Sequence, residues 1–448
     1  MNIKIPNFEP DKVFIVIAVI YGLAFLLSTP PLLVNDENYH LIKAVGLSEG
    51  HILPVKNMNE SGFFVPEGID QLVHTFNVNK PYNENLLIFE DISAKSIVEY
   101  PPIPYLAPGL AIKVGILFNC SPLILLYLAR LVNLIIFILL VYLAIRIIPV
   151  HKWVLLMLAL MPMSMFEAAS VSADSLTISL TFLLIAFLLK LVYNNNFKKI
   201  DLSILFLLGL LVGLTKNFYT IILFLYFLIP VDKFRNYKVK YGIFFIFSIP
   251  IALIIIAWEL VNNSFYKPNI VNWSLNGQIS YIMTHPLNYL LTVLTTLTAI
   301  NNNEYGIIFY LTTFIGTFGS SIHPLPSFII VLYLLSLISV ALIDKDEIRI
   351  KNSQKLIFLL IFLLITISII TLEYLTWNSI GNNFVAGIQG RYFIPVAPLL
   401  FLILYNNQES MIILNKKIPL KISKNIKLII LLIIIFTLSI SSIMLFFR

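Results

Sequence analysis

The sequence predicts an all-α polytopic integral membrane protein, and three observations carry that prediction. Of 448 residues, 59% are hydrophobic and only 12% charged, against about 25% charged in soluble domains. Mean hydropathy is +0.91. Apolar runs near the length of a bilayer span recur along the whole chain, and the Lys and Arg residues between them favour alternate sides. The core of residues 1–448 is therefore built in lipid, as a single transmembrane domain. The one cysteine, Cys120, excludes an internal disulfide and a cysteine-based metal site. The formal charge of +7 reflects this sidedness and not affinity for nucleic acid.

The elements follow in order. Run 13–29 comes after Lys4 and Lys12 and is followed by Thr29-Pro30-Pro31 with no small-residue cleavage pattern, so it reads as a retained first span. Further runs lie at 121–148, 152–168, 175–193, 200–215, 240–262, 326–343, 355–375, 391–406 and 427–447, and a shorter one at 217–231 follows a break at Thr215-Lys216-Asn217, giving about eleven spans. The stretch 103–118 contains Pro104, Pro108 and Lys113, too many interruptions for a span, and is expected to lie on the outer face as a juxtamembrane helix. Stretches 286–300 and 306–319 are expected as short outer helices, and whether 286–319 crosses the membrane stays open.

Orientation comes from the basic loops. With the N-terminus and loops 146–152, 190–199, 233–240, 345–355 and 416–427 inside, 20 of 30 Lys/Arg are cytoplasmic, nine are outside and Arg130 lies within a span. Of 23 Asp/Glu, 15 fall on the outer side, a split of −6 outside and +12 inside. The expectation is a multi-pass protein of the plasma (cytoplasmic) membrane with its N-terminus inside. Its polar investment lies in three outer segments, 30–119, 262–326 and 375–390.

The densest polar cluster, Asp36-Glu37-Asn38-Tyr39-His40, sits where the first span leaves the bilayer. Ionisable groups there are costly unless they pair or do chemistry. Adjacent side chains cannot share one helix face, so Asp36 and Glu37 point apart. A carboxylate at an apolar boundary suits a general base. An N-cap for the helix that follows is the competing reading. His40, four residues after Asp36, can meet it on one turn. Oxygen donors at Asp36 or Glu37 would suit magnesium or manganese, although the spacing is not a zinc pattern and fixes no cofactor. Glu167 and Asp174 flank a small-residue turn, 168–173, where Asp174 reads equally as a cap or a functional group. Lys216, Arg391 and Arg130 are cations in the outer half of the bundle. They read as ligands for a phosphate head group, as snorkelling interfacial residues, or, for Arg130, as half of a structural pair. Tyr105, in Tyr100-Pro101-Pro102-Ile103-Pro104-Tyr105, and Tyr392, beside Arg391, are aromatic candidates for substrate contact.

Several stretches together resemble a prokaryotic family of multi-span membrane proteins of unknown function that is itself similar to the GT-C glycosyltransferase superfamily. They are Pro30-Pro31 with Asp36-Glu37 and His40; Tyr100 to Tyr105; Arg130-Leu131-Val132-Asn133; Met161-Pro162-Met163 followed by Ser170 to Asp174; Phe314-Ile315-Gly316 with Gly319; and Gln389-Gly390-Arg391-Tyr392-Phe393 with Pro395. Where the family carries an aromatic residue and an aspartate after the Phe-Gly pair, this chain has Ser320, Ser321 and His323. The resemblance implies a helical bundle with a long first outer loop carrying juxtamembrane helices. It also implies a polyprenyl-phosphate sugar donor and a catalytic carboxylate in that loop, which by position is Asp36 with Glu37 as its neighbour. The function expected is sugar transfer from the lipid-linked donor to a glycan, lipid or protein acceptor outside the membrane, with Asp36 as general base. The catalytic residues would be Asp36 and Glu37, and the substrate-binding residues His40, Tyr105, Arg130, Asp174, Lys216, Arg391 and Tyr392. A lipid-linked sugar flippase and a surface-polysaccharide polymerase or ligase are the alternatives.

Overall fold

The computed structural model describes residues 8–58, 60–75, 82, 86–194, 197–262, 264–299, 306–319, 321–408, 410–413, 416–419 and 422–447. The chain opens with α1 (Pro10–Ser28), whose proline lies at the first turn, where a missing N–H leaves no bond unmade. A helix-rich segment follows: α2 (Glu37–Ser48), strands β1 (Val55–Asn57) and β2 (Glu60–Pro66), α3 (Glu67–Thr75), β3 (Leu87–Asp91), the 3₁₀ turn Ser96–Glu99, and α4 (Ile103–Leu117). The three strands form an antiparallel sheet in the order β1-β2-β3, with Phe63 opposite Glu90. Phe63, on the covered face, is fully buried and packs so closely on α2 that a Cβ at Gly46 would lie 2.2 Å from its ring.

The bundle proper comprises α5 (Pro122–Ile147), α6 (Lys152–Ala159), α7 (Pro162–Ala168), α8 (Ala173–Tyr193), α9 (Lys199–Gly213), the 3₁₀ segment Asn217–Leu228 and α10 (Tyr237–Asn262). Short helices α11 (Leu275–Thr284), α12 (Pro286–Thr298) and α13 (Ile307–Ile315) precede the two-residue strands β4 (Thr317–Phe318) and β5 (His323–Pro324). Then come α14 (Ser327–Ile343), α15 (Asn352–Trp377), the 3₁₀ turn Gly390–Val396, α16 (Ala397–Ile403), the hairpin β6 (Ser410–Ile413) and β7 (Lys416–Pro419), and α17 (Lys424–Phe446).

Among the described residues six helices, α1, α5, α8, α10, α15 and α17, are long and apolar enough to cross a membrane, with shorter apolar helices among the rest. The expected run 152–168 is not one helix. Pro162 cannot donate to the ladder, so the chain breaks into α6 and α7 around Leu160 and Met161. The expected surface helix at 103–118 is α4, which packs on α2 and α5. Helix α8 is central, with 89% of its apolar window buried, whereas α10 is 11% buried and presents Phe245, Ile246, Leu253 and Leu260 outward. The buried hydroxyls of Thr177 and Ser179 on α8 donate to carbonyls four residues back, which satisfies them within the helix.

Contacts sort the connections into two ends. At one end Asp344 accepts from the N–H groups of Trp153 and Val154, His151 meets the Ala341 carbonyl, Lys233 binds the last carbonyls of α8, and Lys427 reaches the Phe8 carbonyl. These are the basic connections read from the sequence as sharing one side. The 30–119 segment, the α7–α8 turn and the 375–390 connection gather at the opposite end.

Candidate functional site

The site is built on the exit of α1. Arg130, on α5, donates from Nη1 to the Thr29 carbonyl at 2.9 Å and from Nη2 to the Pro30 carbonyl at 3.0 Å. The same guanidinium grips Glu37 with two bonds, Nε to Oε1 at 2.8 Å and Nη2 to Oε2 at 2.6 Å. Oε1 also accepts from Val171 N–H at 3.0 Å, in the α7–α8 turn. Both side chains are 0% exposed. Glu37, expected as a catalytic carboxylate, and Arg130, expected as a substrate ligand, are therefore sealed in a bidentate pair that fixes four elements to one another. Neither presents an atom to a substrate.

Asp36 has the opposite environment. It occupies the N-cap position of α2 in the left-handed conformation, φ 58°, and its side chain makes no capping bond. The carboxylate is 43% exposed and 3.7 Å from Lys95 Nζ. It opens into a cavity of about 220 Å³ walled by His40, Lys95, Tyr100, Asp174, Lys216, Glu373, Trp377, Gln389, Arg391 and Tyr392. Lys95 also lies over the rings of Tyr39 and Trp377, at 4.8 and 5.5 Å.

The floor is an ionic network. Ser172 caps α8 by accepting from Asp174 N–H, so Asp174 is not the cap, and its carboxylate accepts from Lys216 Nζ at 2.5 Å. Arg391 Nη1 donates to Glu167 at 2.6 Å and lies 3.6 Å from Asp174. The two cations expected as phosphate ligands thus each face a carboxylate. Hydrogen-bonding capacity is left over: the Arg391 Nε donor and the Glu167 Oε2 acceptor are buried with no hydrogen-bond partner among the described residues. Lys216 stands 4.8 Å over the Tyr392 ring, and Tyr219 fixes that residue by donating to its carbonyl at 2.6 Å.

His40 reaches the cavity wall and pairs through Nδ1 with the Tyr105 hydroxyl at 2.7 Å. Burial pushes its imidazole down to about 4, against the pull of Asp36 and Asp174, so the ring is neutral at pH 7. Tyr105, expected to touch substrate, is 1% exposed and supports His40 from behind. Asn35 donates to Gln389 at 3.1 Å and to Ser321 at 3.3 Å, which ties the 319–323 turn to the wall. Ser320 lies outside the described residues.

Beside the cavity runs an apolar groove of about 130 Å³ between α9, α10 and α15, lined by Leu214, Ile255, Trp258, Ile369 and Leu372. Ser96, Tyr100, Lys216, Glu373 and Tyr392 line both spaces. The groove's polar lip carries Glu99 and Glu259. Burial, with Glu259 nearby, pushes the Glu99 carboxyl up to about 7. Lys43 holds this lip by donating to the carbonyls of Ile97, Val98 and Tyr100 at 2.7, 3.1 and 2.5 Å.

Lys95 and Glu373 are site residues that sequence reasoning missed. Glu373 lies inside an apolar run, where its only signal is a lone carboxylate near a span end. Lys95 lies in a loop without periodicity. For a magnesium or manganese ion at Asp36 or Glu37 the donors fit poorly, since Glu37 is consumed by Arg130 and Lys95 is the near neighbour of Asp36.

No curated protein matches the chain. Among solved structures, ArnT from Cupriavidus metallidurans bound to undecaprenyl phosphate aligns over 88% of this chain and 59% of its own, with 12% identity and a TM-score of 0.44. The chain thus spans less than two thirds of that protein. The profile of DUF2142, described as a predicted membrane protein, matches residues 19–400. That match covers most of the sequence, and the chain belongs to the DUF2142 family of membrane proteins.

Proposed function

We propose that the protein is a membrane glycosyltransferase that moves a sugar from a polyprenyl-phosphate carrier to an acceptor hydroxyl on the outer side of the membrane. The observation that carries this reading is the union of two unlike spaces at Lys216. A polar cavity holding the Asp36 carboxylate, 3.7 Å from Lys95 Nζ, adjoins a groove with apolar walls lined in part by α10, the least covered of the six long apolar helices. A carrier whose tail is hydrocarbon and whose head is charged needs both.

In this mechanism the tail lies along Leu214, Ile255, Ile369 and Leu372. The phosphate meets Lys216 and Arg391, both in the cavity wall. The sugar fills the cavity between Tyr100, Trp377 and Tyr392. Asp36 takes the proton from the acceptor hydroxyl as its oxygen attacks the anomeric carbon. The bond from that carbon to the phosphate oxygen breaks, and polyprenyl phosphate leaves with its negative charge held by the two cations. Direct displacement of this kind inverts the anomeric centre. Asp174 and Glu167 neutralise Lys216 and Arg391 between turnovers, so no uncompensated charge is buried. Neutral His40 contributes a hydrogen bond and not a charge.

The test is transfer from polyprenyl-phosphate sugars by the reconstituted protein and by Asp36→Asn. Loss of transfer in a folded Asp36→Asn protein that still binds donor supports the proposal. Unchanged transfer overturns the assignment of the base. Movement of the donor across the bilayer with no glycosidic bond formed would make the protein a flippase instead.

A further inference from the structure

Away from the cavity, α3 and β3 bring together three side chains with metal-ligand chemistry. Asp70 and His74 are four residues apart on one face of α3. Glu90 projects toward them from β3 and is 6% exposed. His74 Nε2 lies 3.0 Å from both Glu90 oxygens and 3.9 Å from Asp70 Oδ1, and one donor atom from each residue falls within 4.8 Å of the others. Bonds of about 2.1 Å in a tetrahedral zinc site set donors roughly 3.4 Å apart. The three observed donors bracket that separation, so small side-chain rotations would place them around one ion.

The charge favours a cation as well. Two carboxylates converge on one imidazole, which at most supplies a single positive charge, and Glu90 is too buried for water to compensate it. His74 and Asp70 are more open, at 58% and 23% side-chain exposure, so an ion could enter from solvent and keep a water in its fourth position.

We propose that Asp70, His74 and Glu90 form a divalent-cation site of the zinc type. Its role is to join α3 to β3. Strand β3 leads within five residues to Lys95, so an ion here would stiffen the segment that carries this cavity-wall lysine.

The experiment uses the full-length protein with its affinity tag removed, stripped with chelator and titrated with zinc chloride. Bound metal is measured by mass spectrometry, and thermal unfolding is followed in parallel. The expected result is one zinc per chain and a raised unfolding temperature. Asp70→Asn, which leaves the His74–Glu90 contact in place, and His74→Ala should each weaken zinc binding by at least the roughly 10- to 100-fold that outer-shell partners contribute. If the three groups are only an ion pair and its neighbour, Asp70→Asn will leave zinc affinity unchanged. That result, absent stoichiometric zinc, or an equal zinc response in all variants would overturn the proposal. Calcium chloride serves as control, since an imidazole ligand should disfavour it.

Discussion

Asp36 is held at φ 58°, a backbone conformation that costs most side chains about 1–2 kcal/mol but that asparagine and aspartate tolerate. Asp36→Asn should therefore keep the fold while lowering transfer by the roughly 10²- to 10⁴-fold that a general base supplies. Asp36→Ala should lose the same activity and in addition about 1 kcal/mol of stability, read by thermal unfolding in detergent. Its neighbour behaves otherwise. Glu37→Gln leaves Arg130 charged and buried without its partner, and the expected loss is about 3–5 kcal/mol, seen as a drop in unfolding temperature and in yield. The sequence located this polar cluster and required its two carboxylates to face apart. It could not say which one met Arg130, because that partner lies 93 positions away in a run that otherwise reads as plain apolar helix. For the same reason Lys216 and Arg391 read as free cations. Their carboxylates are brought to them by the α7–α8 turn, and that pairing is tertiary.

At the level of elements, Gly390 shows how tightly the wall is set. A Cβ there would lie 1.9 Å from the Tyr310 carbonyl oxygen and 2.5 Å from the Phe314 nitrogen, both backbone atoms of α13 that cannot rotate away. Gly390→Ala should push the 3₁₀ turn off α13, displace Arg391 next to it, and cost at least about 1–3 kcal/mol together with most donor affinity, measured by carrier binding. The turn Ser96–Glu99 makes a pH prediction. Its Glu99 carboxyl has a folded pKa of about 7 against an ordinary value of 4.5, so the folded state holds the proton more tightly. The stability from this group is complete below about pH 4.5 and is lost as pH rises through about 7. Glu99→Gln should remove that pH-dependent loss from unfolding curves. Long uninterrupted helices such as α5 and α15 were legible from apolar run length alone. The α6–α7 break was not read, although Pro162 was visible, because hydropathy counts proline as a minor interruption. The small sheet β1-β2-β3 was not read either, since it is a short local structure packed over α2 and carries little alternation.

For the whole molecule, the prediction concerns sidedness. In a Cys120→Ser background, Glu60→Cys should react with a membrane-impermeant thiol reagent on intact cells, and Lys351→Cys should react only after permeabilisation. The reverse pattern would place the cavity in the cytoplasm and remove lipid-linked donors on the outer leaflet as substrates. The basic connections that the sequence assigned to one side do meet at one end of the bundle, because loop charge is a property of the chain that folding does not rearrange. What the charge rule could not supply was the lateral groove. It arises from how α10 packs on α9 while α15 packs on the 3₁₀ segment Asn217–Leu228, and packing angles leave no trace in hydropathy.

Helix α10 has a consequence of its own. It forms one side of the groove through Ile255 and Trp258 yet is covered by the rest of the chain over only 11% of its apolar window, which leaves most of that surface open to the bilayer. Membrane thickness and tail order would then act on the tilt of this helix directly. The width of the groove is in that sense a joint property of polypeptide and host bilayer, and the choice of lipid for reconstitution becomes an experimental variable in its own right.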